Sequence, residues 1–252
     1  MSAFWACVRN EWSKLLKRKK YMVFLFIGLV ICLLWAMIGR FASDLIQRSS
    51  GLFISLTPAP MGVLPFFLQL LIPFLMFMGL TDLITVEGAE NTMKSALVRP
   101  VERWKLYTAK ITAVVSYAAL YLGSVFALTV ALQLIFGDKT TAGAVFIALG
   151  SYALTLIPLA ILACFAALVA LLGRSGTLTM FILLLCYLAF SVLPVIFPVL
   201  TEMVFTSYLG WYKLWIGALP AAGKLVHMLL IVFGYGAVFF TAGSLVFDRK
   251  EY

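Results

Sequence analysis

The sequence predicts an all-α polytopic membrane protein with six transmembrane helices. Three observations lead there. Of 252 residues, 64% are hydrophobic and 12% charged, whereas a soluble domain is about one-quarter charged. Several apolar runs reach or exceed the roughly 20 residues that a helix needs to cross a bilayer. The charges gather at the ends of those runs, where they orient spans and meet anionic headgroups. The net charge of +9 therefore points to the lipid bilayer as partner and not to nucleic acid.

Residues 1–20, "MSAFWACVRNEWSKLLKRKK", form one predicted unit. Phe4, Trp5, Val8, Trp12, Leu15 and Leu16 recur at helical spacing, and Arg9, Glu11, Lys14, Lys17 and Arg18 fill the other face. This is the pattern of an amphipathic helix lying on the membrane surface. Trp5 and Trp12 suit the headgroup level, with Lys17 and Arg18 against anionic lipid. Charge throughout this stretch argues against a cleavable signal peptide.

Residues 21–252 form the span-bearing unit. The first span is Tyr21 to Gly39, followed by a polar segment, Arg40 to Gly62. The second is Val63 to Thr85. The third starts near Trp104 and ends before "GDKTTAG", the clearest loop in the chain. The fourth is Ala144 to Leu172, closed by "GRSG". The fifth is Thr177 to Val199, where Pro194 and Pro198 are expected to kink or end the helix. The sixth is Leu225 to Phe247.

Six spans put both termini on one side. If that side is the cytoplasm, only Arg40, Arg48, Lys139, Lys213 and Lys224 of the 19 Lys and Arg residues face outward. The bias predicts cytoplasmic termini in the cell's inner membrane.

The connection between spans two and three, "VEGAENTMKSALVRPVERWKLYTAK", reads as a short helix. Glu87 and Glu90 open it, Lys94 and Arg99 close it, and Pro100 stops it, in accord with the helix dipole. Ala89, Met93, Ala96 and Leu97 share one stripe. Such a helix can dock in a partner's groove, or serve as a solvated connector whose charges set topology. Asp82 and Lys110, near the ends of spans two and three, can pair across them.

Chemistry motifs are scarce. There is no GxxxxGK[ST] phosphate loop and no GxSxG. One histidine, His227, excludes multi-histidine metal sites. Cys7, Cys32, Cys164 and Cys186 lack CxxC spacing and read as packing residues. Gln69 and Gln133 read as interhelix hydrogen-bonding positions. No catalytic, cofactor-binding or metal residue is assigned. A chain that transports without a midplane carboxylate needs energy from a separate ATP-hydrolysing subunit.

At these residues the chain resembles the type-2 ABC exporter permeases, the transmembrane subunits of ABC transporters. "RNEWSKLLKRKK" is similar to their elbow helix, and residues 87–100 resemble their coupling helix. The matching positions are Glu87, Thr92 with Lys94, Arg99 with Pro100 and Arg103, and Lys110. The resemblance implies a permease with no ATPase site of its own. Two ABC ATP-binding subunits would carry ATP and Mg, and a second permease subunit would pair as homodimer or heterodimer. Glu87, Glu90, Met93, Lys94, Leu97 and Arg99 would dock the ATPase subunit. The resemblance also implies that residues 200–225, with Trp211, Tyr212, Trp215 and Pro220, are re-entrant or external helices; an aromatic-belt loop is the other reading. The apolar, phenylalanine-rich spans suit export of an amphiphile: an antimicrobial peptide, lipid or drug. Sodium transport and a non-transporting scaffold or sensor are the alternatives.

Overall fold

The computed structural model describes residues 3–50, 60–90, 102–136, 141–215 and 222–250. The described residues are all-helical, and six helices are long and apolar enough to cross a membrane. Helix α1 is Ala3–Lys17 and α2 is Lys19–Ser50. The second candidate span, α3, is Pro60–Ala89. Then follow α4 (Arg103–Phe136), α5 (Ala142–Leu172), α6 (Gly176–Ile196) and α7 (Ala222–Arg249). Helix α2 continues to Ser50, through the first half of the stretch expected to be a polar connection.

Helices α3 and α5 form the centre of the bundle, and α2, α6 and α7 expose most of their apolar surface. That exposure on α2 (Phe26, Met37) and α6 (Leu185, Val195) fits a lipid solvent. Tight packing depends on small residues under large ones. The Tyr121 hydroxyl of α4 lies where a Cβ on Gly28 of α2 would stand, and the Tyr107 hydroxyl does the same at Gly243 of α7. Small residues let membrane helices approach closely where no hydrophobic force drives association.

Prolines shape three spans. A proline cannot donate to the carbonyl four residues earlier, and in a membrane that carbonyl needs another donor. Pro73 leaves the Gln69 carbonyl, which accepts from the Tyr187 hydroxyl of α6 at 2.8 Å. Pro158 leaves the Leu154 carbonyl, which accepts from the Trp211 indole at 2.9 Å. Pro194 leaves the Phe190 carbonyl, which accepts from the Thr206 hydroxyl at 2.9 Å. The backbone adapts locally: Phe67–Leu71 is a π turn just before Pro73, and the helix of α5 breaks between Leu154 and Leu156.

Pro194 lies inside α6 and the helix ends at Ile196. Phe197 leaves the helical region (φ −121°, ψ 88°), as Pro198 disfavours the α conformation in the residue before it. Two 3₁₀ segments follow, Pro198–Glu202 and Phe205–Trp215. Trp211 and Tyr212 are buried against the spans. The described part of 200–225 is thus a folded cap on the bundle end opposite α1, and not an open loop. Pro220 lies outside the described residues.

Candidate functional site

The charged cluster at the α1 end is built from α1, α3 and α4. Helix α1 packs along α4, and the residues it buries are Cys7, Val8, Glu11 and Leu15. Glu11 therefore sits within the buried stripe, contrary to its expected place on the polar face. The correction has a cause. Lys110 of α4 is wholly buried, and an unpaired ammonium there would carry a penalty of several kcal/mol. Glu11 supplies the opposite charge from across the helix pair.

Four side chains close a ring. Glu11 Oε1 accepts from Lys14 Nζ at 2.8 Å, and Glu11 Oε2 from Lys110 Nζ at 3.1 Å. Glu87 Oε1 accepts from Lys14 Nζ at 2.9 Å, and Glu87 Oε2 from Lys110 Nζ at 2.7 Å. Two carboxylates face two ammoniums, so the ring is formally neutral. Burial disfavours the charged Lys14, but Glu11 and Glu87 outweigh it and raise its pKa above the ordinary 10.5.

A second cluster lies beside it. Asp82 Oδ2 accepts from Arg18 Nη1 at 2.9 Å, Lys20 Nζ at 2.5 Å and the Tyr21 hydroxyl at 2.6 Å. The Tyr117 hydroxyl of α4 in turn donates to the Tyr21 carbonyl at 2.9 Å. The expected Asp82–Lys110 pair is thus replaced by two separate clusters, each of which recruits α1 or the start of α2.

The backbone explains why both carboxylates reach the same neighbour. Thr81–Val86 is a π turn. In an α-helix residues five apart diverge by about 140°. A π turn closes from i to i+5, which narrows that divergence. Asp82 and Glu87 are five apart, and both meet basic residues of the N-terminal segment.

Other expected positions resolve as follows. Glu87 is buried in the ring instead of standing at an exposed docking rim, whereas Glu90 is exposed at the helix end. Thr92, Met93, Lys94, Leu97, Arg99 and Pro100 lie outside the described residues. Trp5 and Lys17 are exposed. Trp12 instead packs against the core, and Arg18 is engaged by Asp82. His227 is exposed. No group of three or more His, Cys, Asp and Glu among the described residues could hold a metal. Sequence reasoning gave no role to Lys250; Arg103 Nη1 donates to the Asp248 and Lys250 carbonyls, and Lys250 Nζ donates to the Leu171 carbonyl. A cation at a helix C-terminus is favoured by the dipole; only the arginine's place in the motif hinted at this.

Beside the clusters a groove follows α3 and α6. It comprises cavities of about 520, 360 and 660 Å³. The first and second share Leu184, and the second and third share Gln69, Leu70, Tyr187 and Leu188. Its walls are largely apolar, with Phe66, Phe74 and Phe181 among them.

No curated protein is significantly similar to the chain. Residues 7–188 match the family described as ABC-2 family transporter protein, a stretch that holds α1 from Cys7 on, both charged clusters, four whole candidate spans and the first part of the fifth. The chain belongs to that ABC-2 family and is the membrane component of such a transporter, a permease without an ATPase domain.

Proposed function

We propose that this permease exports an amphiphile by alternating access, driven by two ATP-binding subunits that hold ATP and Mg. Its α1 end faces the cytoplasm, α1 acts as the elbow helix, and residues 87–100 act as the coupling helix. A second permease subunit completes the translocation path.

The observation that carries this reading is the ring of Glu11, Lys14, Glu87 and Lys110. A force applied to residues 87–100 has to enter the spans through a stiff connection. Glu87 is the buried first residue of that segment, and its carboxylate holds α1 through Lys14 and α4 through Lys110. Displacement of one helix therefore drags the other two. Buried ion pairs resist separation because either partner left alone is a desolvated charge. The amphiphile is favoured by the groove, which Phe24, Phe66 and Phe74 line together with Gln69 and Ser191.

Co-purification and substrate-stimulated ATPase activity of the reconstituted complex test the reading. Met93→Asp is expected to release the ATPase subunit or to uncouple hydrolysis from transport, as loss of a groove-centre apolar contact costs roughly 1–3 kcal/mol. Lys94→Ala is expected to weaken the complex less, as a rim charge does. Wild-type coupling in Met93→Asp would leave 87–100 as a connector.

A further inference from the structure

We propose that the α1 end of the groove is a binding site for one anionic phospholipid. Its phosphate sits against Lys20 and the Thr81 hydroxyl, beside the Arg18–Asp82 pair of which Asp82 also lines the cavity, and an acyl chain follows α6. The cavity of about 520 Å³ opens there between Lys20, the π turn of α3 and the first turns of α6.

Charge points to an anion. Arg18 and Lys20 both converge on one oxygen of Asp82, at 2.9 and 2.5 Å, and the Tyr21 hydroxyl takes the same oxygen. One carboxylate thus faces two cations, so this cluster carries an excess positive charge where the neighbouring ring is neutral. Guanidinium and ammonium groups keep further donors after that contact. Exposed Arg174 lies two residues before Gly176, which lines the cavity.

An orphan donor points the same way. Thr81 lines the cavity, is 3% exposed, and its hydroxyl has no hydrogen-bond partner among the described residues. A buried hydroxyl left unpaired is costly, and such a group in a native fold calls for a partner. A phosphate oxygen supplies one.

The walls choose a lipid over free phosphate. Met78, Met180 and Phe181 line the cavity beyond its polar rim. Leu184 joins it to the next cavity, of about 360 Å³, where Phe24, Leu70 and Phe74 continue the apolar path. A ligand with an anionic head and a long apolar tail covers both parts. The inference concerns a resident lipid and stands apart from the transport reading, since binding is read without ATPase or transport.

Native mass spectrometry of the full chain in micelles with equal phosphatidylglycerol and phosphatidylcholine tests it. Wild type is expected to retain one phosphatidylglycerol in preference. Lys20→Gln lowers that preference about fivefold, the loss of one cation near an anionic headgroup. Thr177→Trp fills the cavity from an exposed lining position and removes retention without changing charge. Lys105→Gln removes a cation on α4 outside the cavity lining and leaves the preference intact. Equal retention of the two lipids, a wild-type preference in Lys20→Gln, or retention by folded Thr177→Trp overturns the site. Displacement of the lipid by millimolar inorganic phosphate overturns its assignment to a lipid.

Discussion

The two ends of this bundle fasten a peripheral element to the spans by opposite chemistry. At one end α1 is held by buried charges: Glu11 and Lys14 meet Glu87 and Lys110. At the other end the segment Phe205–Trp215 is held by neutral hydrogen bonds, with Thr206 and Trp211 donating to the Phe190 and Leu154 carbonyls that prolines leave unpaired. The difference concerns what happens when a contact opens. A broken ion pair leaves a bare buried charge, so the α1 end is suited to move as one block. A broken proline-carbonyl bond leaves one unpaired dipole, a smaller penalty that allows the cap to shift locally.

The largest expected effect comes from breaking the ring. Lys110→Met removes the wholly buried ammonium that Glu11 and Glu87 share. Truncating one partner of a buried pair costs about 3–5 kcal/mol. Thermal unfolding of the purified protein should show a large drop in midpoint. Adding Glu11→Leu should recover part of it, because one of the two buried carboxylates left short of a counter-ion is removed as well. A variant Lys110→Met that melts with wild type would mean the ring contributes no stability, and the contrast between the ends would fail.

At the other end Trp211→Phe keeps the ring packing and deletes the indole donor. The Leu154 carbonyl is then unpaired, at a cost of about 1–3 kcal/mol. Pro158→Ala restores a backbone N–H for that carbonyl, so Trp211→Phe should cost much less in the Pro158→Ala background. The coupling in this double-mutant cycle sharpens the comparison: additive effects would show that the proline vacancy is not what the tryptophan fills.

Thr206→Val repeats the experiment on the second bond. Its hydroxyl, part-buried like the Trp211 indole, meets the Phe190 carbonyl at the same 2.9 Å, and its loss should cost about 1 kcal/mol, the usual net value of a hydrogen bond. Pro194→Ala should again reduce it. Equal effects in both backgrounds would confine the proline mechanism to Trp211.

Much of the fold was legible in the sequence because hydropathy and length report directly on the membrane solvent. The six spans emerged from apolar runs, and the turn at Gly173–Gly176 emerged from its glycines. There a Cβ on Gly173 would lie 1.8 Å from Thr179 Oγ1. The charged site was less legible. Glu11 looked like a surface residue because helical periodicity cannot show which polar side chain has a buried counter-ion 99 positions away. The expected Asp82–Lys110 pair failed because a 3.6-residue repeat shows neither the π turn at Thr81–Val86 nor the basic partners that the N-terminal segment brings to Asp82 and Glu87. The prolines announced kinks, but their substitute donors lie far off in sequence: 57 positions separate Trp211 from Leu154. No local pattern encodes such a pairing. The stripe of Met93 and Leu97 remains a sequence-level expectation, since both lie outside the described residues.

The smallest effect concerns pH, and it separates the two ends by titration. Lys14 has a folded pKa above its ordinary 10.5, because Glu11 and Glu87 outweigh the burial that opposes its charge. A raised folded pKa means that the ammonium form is favoured in the folded state. The stability it contributes is fully present below the unfolded value and is lost as pH rises through the folded value. Neutral and mildly alkaline conditions should therefore leave α1 docked, and the loss should begin only above about 10.5. The size is modest, because the Lys14 side chain is 32% exposed and solvent screens it. Burial also holds the Tyr208 and Tyr212 phenols above 10.0, so melting of the whole protein falls in the same window for a second reason. Lys14→Gln removes the first cause and keeps the second. The wild-type minus Lys14→Gln difference in melting temperature should be flat from pH 7 to about 10 and shrink above it. A difference that stays constant through pH 11 would show that Lys14 stabilises α1 by packing alone. A difference that already falls near neutral pH would require another titrating group in the ring, and would end the contrast between an α1 end stiffened by charge across physiological pH and a capped end held by neutral donors.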